Sequence, residues 1–431
     1  MKRALTLLAV LALLPACAHM EESQEYPEIF PDYVGVTVPQ GIAPLRFCMK
    51  DGGKCRVSTT VAGDTTWYKV SAAGVSYKAF PVITSHDSVD PYIAYRLIEP
   101  GYESWHTISI CQRELASFKE SEIVTNAANN QGCINCHNFP GGDPSRMIFH
   151  ARGKGGGTVI IDGDSVRLLN IATVGPQKQG TYPAWHPGGR YVAFSSNVTK
   201  QSFAVDGRQP VEVYDTSSDM IVLDLQTDSV ITCPCLCTED ELETFPCWSD
   251  DGSVLYYCSA RNAGPAPEDL HYRLMSMGFE NGEFVGEPQE VWADEASSVS
   301  FPRVKDGKLI FTRSSYGTFP IWHSEADLWM LDLTDGSLRE LTELNSPDTE
   351  SYHSWSSNGR WVVFSSRRDD GRYTRLYFAH YNPETGMFDK PFMLPQRNAS
   401  HNSLRLKSYN IPEFVLGPVP CRQKEVSELF D

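Results

Sequence analysis

The chain has 431 residues, 41% hydrophobic and 21% charged, the composition of a folded chain with apolar mass for a core rather than of a disordered one. Its 37 basic residues face 54 acidic ones, a net charge of −17, which excludes duplex nucleic acid as a partner because phosphate binding needs clustered Lys and Arg. Aromatics at 11%, with 32 Gly and 28 Pro, point to many short strands joined by turns.

Met1-Lys2-Arg3 and the apolar run Ala4 to Leu14 read as an export signal, too short to persist as a spanning helix. The run ends in Leu14-Pro15-Ala16-Cys17, which resembles a bacterial lipobox. On that reading residues 1–16 are the signal peptide and Cys17 becomes the acylated first residue of the mature chain. The alternative is an ordinary secretory signal that ends near a cysteine. No later stretch approaches ~18 apolar residues, so lipid on Cys17 is the expected membrane anchor. Residues 17–29 are polar and acidic and read as a tether. Their acidic run is similar to the surface-export signal of Bacteroidetes lipoproteins, and a solvated linker is the plainer reading. The expected location is the bacterial outer membrane, on its periplasmic or cell-surface side.

Residues 30–90 carry strand-like runs such as Ile42-Ala-Pro-Leu-Arg-Phe47 and Trp67-Tyr-Lys-Val70, and predict a small β extension or a partial blade. Twelve cysteines suit an oxidising compartment. Cys48 and Cys55 bracket a turn that a disulfide could staple, and Cys233, Cys235 and Cys237 crowd one loop; pairing does not follow from sequence. Pro91 to Leu97 with Trp105 to Ile110 reads as part of a blade.

Gly132-Cys133-Ile134-Asn135-Cys136-His137 has the Cys-x-x-Cys-His spacing of covalent c-type haem attachment. Two thiols add to the vinyl groups of one porphyrin edge, and the adjacent imidazole reaches the iron. Cys133 and Cys136 are therefore the expected haem ligands and His137 the proximal iron ligand, in a loop at 132–138 ahead of a blade hairpin. Met147, His150 and His353 are the distal candidates, with five-coordinate iron as another outcome. If the hairpin from Asn138 to Arg152 follows its sister copies, His150 lies almost opposite His137, too close for a trans ligand. A disulfide, a zinc site completed from the Cys233–Cys237 loop, and a redox dithiol are the competing readings.

Four blocks then repeat: Tyr182-Pro-Ala-Trp-His-Pro-Gly-Gly, Phe245-Pro-Cys-Trp-Ser-Asp-Asp-Gly, Phe301-Pro-Arg-Val-Lys-Asp-Gly and Tyr352-His-Ser-Trp-Ser-Ser-Asn-Gly, each followed by a β-branched and aromatic run. The turns at Asp251-Gly252 and Asn358-Gly359 supply the positive φ of a tight reversal. A second hairpin sits between blocks, as in Leu328 to Leu341. Two hairpins per repeat make a four-stranded blade, and blades close radially. The blocks resemble the TolB-like β-propeller family over about residues 135–420. With the Cys-x-x-Cys-His motif, the whole is similar to a group of Bacteroidetes lipoproteins. The expected fold is an all-β propeller over 91–420 with six blades, seven being the alternative. Ser400 to Leu416 returns to complete the first blade, and 421–431 forms a tail.

The expectation that follows is a lipid-anchored envelope protein carrying haem c for electron transfer or redox sensing. It would have the membrane, through Cys17, and a redox or envelope protein as partners. A propeller scaffold or binding module for a protein or glycan is the alternative, and a haem peroxidase-like enzyme a third; no catalytic residue is assigned.

Overall fold

The computed structural model describes residues 20–99, 107–175, 177, 179–203, 211–264 and 266–431; Cys17 and the signal segment lie outside them. Five four-stranded antiparallel sheets and one of five strands make six blades. Ile134–Asn138, Thr181–Trp185, Glu241–Trp248, Ser298–Lys305 and Glu350–Trp355 open blades 2 to 6 in turn, and each pairs outward with the hairpins that follow it. Blade 1 is built differently. Tyr92–Ile98, Ser109–Glu114 and Glu120–Thr125 supply its outer strands, and the C-terminal Ser408–Val415 supplies the innermost one. The six innermost strands touch in sequence, and Ser408–Val415 closes on Ile134–Asn138. The ring has no free edge at its axis, and the join between chain ends holds it shut. The blade count is therefore six, and the C-terminal return is present.

Every innermost strand carries the same irregularity. Its ladder slips by a bulge, and one residue sits at positive φ: Cys136, Tyr182, Phe245, Phe301, Tyr352 and Ile411, all between 49° and 54°. For bulky L-residues that backbone is strained, and six copies of it mark a built feature of the repeat. The turns read from sequence also form, with Gly252 at φ 76° and Gly359 at φ 65°.

Residues 20–90 form a separate β layer. Its main sheet includes Thr37–Pro39, Arg56–Ala62, Thr65–Ala72 and Phe80–Ser85. Glu21–Glu22, in the segment read as a tether, pairs in parallel with Val75–Ser76. The layer docks on blades 1 and 6, where Tyr33, Val36 and Phe80 share a core with Tyr95, Trp361 and Phe378. Full burial of each such side chain stabilises the docked layer by about 1.5–3 kcal/mol. Polar ties fix the register, since the backbone N–H and hydroxyl of Ser357 both donate to Asp90 and the Trp361 indole donates to the Asp87 carbonyl. At the other terminus the short helix Gln423–Ser427 buries Val426 against Ile123 and Phe149 of blades 1 and 2.

Candidate functional site

The Cys-x-x-Cys-His segment is not a loop ahead of blade 2. Ile134–Asn138 is the innermost strand of that blade, and Cys136 is its positive-φ bulge residue. The expectation of a separable loop fails because Cys136-His137-Asn138-Phe139 occupies the register of Tyr352-His353-Ser354-Trp355 in blade 6. His137 thus stands where the other blades have Pro183, Pro246, Pro302, His353 and Pro412. The signal was present in the sequence, but a cysteine in place of the aromatic residue concealed the match.

The bulge side chains meet at the axis. The rings of Tyr182 and Phe245 lie 4.5 Å apart, those of Phe245 and Phe301 4.0 Å, and those of Phe301 and Tyr352 4.9 Å. They narrow the channel. On the face where the innermost strands begin, the channel widens into a funnel of about 410 Å³. Cys133 and Cys136 both line this funnel, and neither is in a disulfide. Its apolar wall includes Val211, Val213, Phe319, Ile321 and Trp322. Arg96, Arg152, Arg367 and Arg372 add positive charge, against one acidic lining residue, Glu99. Arg367 is fixed by the Ile321 carbonyl at 3.1 Å and stacks 4.4 Å from the Trp322 ring centre. Among the described residues Arg96 and Arg152 have no acidic group within 4 Å, and the Nε of each is buried without a hydrogen-bond partner, as is Asn135 Oδ1. Buried donors left open in a cationic, apolar-walled cavity suit an anionic ligand with an apolar body.

His137 does not line the funnel. Its side chain is fully buried and borders a void of about 20 Å³ with Tyr182, Phe245 and Phe301. Neither ring nitrogen has a hydrogen-bond partner, and Glu413 Oε1 lies 3.7 Å from Nε2. Burial, with Arg96 adding to it, pushes the imidazole pKa down to about 3, so the ring is neutral. Burial likewise pushes the Glu413 carboxyl up to about 7, against the pull of Arg303 and of the Phe139 and Asn138 donors.

The distal candidates are elsewhere. Met147 is buried in the core of blades 1 and 2 with Ile134 and Phe149. His150 pairs with Asn135, two residues along the strand from His137, because Cys136 and His137 sit in the bulge, and it faces a different cleft. His353 is buried with Nε2 2.9 Å from the Ile310 carbonyl. The donor set therefore fits thioether attachment of a tetrapyrrole at Cys133 and Cys136, with guanidinium groups for its carboxylates. It does not fit iron ligation by His137, Met147, His150 or His353, because none of them reaches the funnel.

Among the other cysteines, Cys233 and Cys235 are disulfide-bonded, whereas Cys48, Cys55 and Cys237 are free thiols. The described residues contain no group of three or more His, Cys, Asp or Glu placed to hold a metal ion. The sequence reading missed the funnel wall and its arginines, which five non-neighbouring stretches of chain contribute.

No family model matches the chain, and no curated protein does. Among solved structures it is similar to TolB from Acinetobacter baumannii, with 13% identity, a TM-score of 0.46, and 83% of this chain and 81% of that one covered. It is also similar to a putative TolB from Agrobacterium tumefaciens, with 14% identity, a TM-score of 0.43, and 73% and 93% covered. An oligogalacturonate lyase in complex with manganese gives 13% identity, a TM-score of 0.41, and 72% and 74% covered. The fold its own sheets define is a six-bladed all-β propeller.

Proposed function

We propose that this protein is a lipid-anchored envelope propeller whose central funnel carries an anionic, apolar-bodied ligand, and that the ligand is haem bound covalently through Cys133 and Cys136. The observation that carries the reading is the convergence of both thiols on one apolar funnel with Arg96, Arg152, Arg367 and Arg372. The thiols would hold the porphyrin edge, the arginines its propionates, and the wall of Ile321 and Trp322 its face. When bound, such a group supplies one-electron redox chemistry, which favours electron transfer or redox sensing with an envelope partner. The test is haem staining after denaturing electrophoresis of protein made in cells competent for c-haem maturation. Stain in the wild type and none in Cys133→Ala/Cys136→Ala supports the reading; no stain in either rejects it.

The second reading is a binding module that holds its ligand without a bond. It is favoured by the absence of His137, Met147, His150 and His353 from the described residues that line the funnel. In that case Cys133→Ala/Cys136→Ala leaves ligand binding intact. Anchoring is tested separately: Cys17→Ala should lose palmitate label and leave the membrane fraction.

A further inference from the structure

Blade 3 departs from its sisters. Its two middle strands, Tyr191–Phe203 and Val211–Asp224, have 13 and 14 residues, whereas the second strands of the other blades have six to eight. Their pairing runs from Tyr191↔Asp224 to Phe203↔Val211, with a bulge after Val198. The pairs beyond Ser196↔Asp219 carry the ribbon roughly 20 Å past the blade, at about 3.3 Å per residue. An isolated ribbon of that kind is marginal in water.

This ribbon is held down at two kinds of contact. Val211 and Val213 are buried with Leu270 and Tyr272 of blade 4 and Ile321 and Trp322 of blade 5, and they form part of the funnel wall. Between them, Glu212 Oε2 lies 3.1 Å from His323 Nε2, while His323 Nδ1 lies 3.2 Å from Glu325 Oε1. The His323 side chain is fully buried, with the Tyr316 ring packed edge-on at 4.6 Å. Blades 3 and 5 are not neighbours, so these contacts span the mouth of blade 4.

We propose that the ribbon is a strap over the funnel and that Glu212–His323–Glu325 is its latch, a cationic imidazole between two carboxylates that fixes Val211 and Val213 as the funnel's movable wall and so governs ligand access. The access half rests on the funnel reading above; the latch itself does not. The imidazole must carry both protons to serve both carboxylates. Burial opposes that charge, and the bonds to Glu212 and Glu325 outweigh it, so the pKa rises to about 9. The other titratable groups facing the cluster are Tyr316 and, beyond it, Glu268; burial and the surrounding carboxylates hold Tyr316 up at about 12, so it stays neutral. A raised histidine pKa means that the latch is complete below the ordinary imidazole value and is released as pH climbs through about 9.

Hydrogen exchange on full-length wild type, His323→Gln and Glu212→Gln tests this. At pH 7 the amides of 199–203 and 211–216 should exchange about tenfold faster in both variants, with blade 6 unchanged. At pH 10 the wild type should lose its advantage over His323→Gln. Equal exchange at pH 7, or an advantage that persists at pH 10, overturns the latch. Free haemin added to each protein in a Cys133→Ala/Cys136→Ala background reads the access half: faster uptake with His323→Gln supports it, and unchanged uptake overturns it. If haemin binds none of them, the funnel reading falls and exchange alone decides the latch.

Discussion

His137→Pro separates a strand residue from an iron ligand. Four of the five equivalent positions already hold proline after a residue at φ near 50°, namely Pro183, Pro246, Pro302 and Pro412. The backbone at Cys136, with φ 54°, matches theirs. Proline should therefore enter without a new strain, and its restriction of the unfolded chain stabilises by about 0.4–1 kcal/mol. The substitution also removes two buried ring nitrogens that lack partners, each a desolvation cost of about 1–3 kcal/mol. Against this stand the lost contacts of the imidazole, including the ring of Phe139 at 6.0 Å, and a small cavity. These terms nearly cancel, and we expect stability within about 1 kcal/mol of wild type, a shift in Tm of roughly 2 °C or less at this chain length. Thermal unfolding checks stability, and the optical spectrum of the reduced protein checks ligation. The expected result is a folded variant whose spectrum is that of the wild type. A loss above about 3 kcal/mol, or the disappearance of a nitrogen-ligated low-spin spectrum, would refute the assignment of His137 to the propeller repeat.

Two further substitutions probe other parts of the account. Trp361→Ala empties a fully buried site shared by blade 6 and the N-terminal layer, and should cost about 3–5 kcal/mol and expose residues 30–90 to protease; a cost below about 1 kcal/mol would contradict the packing. Glu413→Gln should flatten the pH dependence. The carboxyl binds its proton more tightly folded than unfolded, so wild-type stability falls as pH rises from about 4.5 through about 7. Between pH 5 and pH 8 the wild type should lose about 1–3 kcal/mol more than the variant in urea unfolding. Parallel losses would place the carboxylate in a polar setting.

The repeat blocks were legible because an aromatic residue, a tight turn and a β-branched run recur within each local stretch, and such hairpins are encoded locally. The return of Ser408–Val415 to blade 1 was legible too, since a ring needs its ends joined. The strand Ile134–Asn138 was misread for a physical reason. Its bulge residue is a cysteine, so the pattern of aromatic side chains at the axis breaks there, and the Pro-Gly-Gly turn after Phe139 drew the hairpin start two residues late. Sister residue His353 held the clue, because an imidazole at that position serves the fold by bonding the Ile310 carbonyl. The funnel could not be read at all. Arg96, Arg152 and Arg367 lie in blades 1, 2 and 6, and only closure of the ring brings them together. The strap was hidden in the same way, because Glu212 and His323 are more than a hundred positions apart.

The central claim is that the two thiols at the funnel hold a tetrapyrrole, and mass spectrometry of the tryptic peptide spanning residues 120–146 tests it most directly. In protein purified from cells able to mature c-type haem, the peptide should carry one haem joined to both Cys133 and Cys136, and neither thiol should react with an alkylating reagent before proteolysis. If both cysteines are recovered as free, alkylated thiols with no adduct, the covalent account is contradicted.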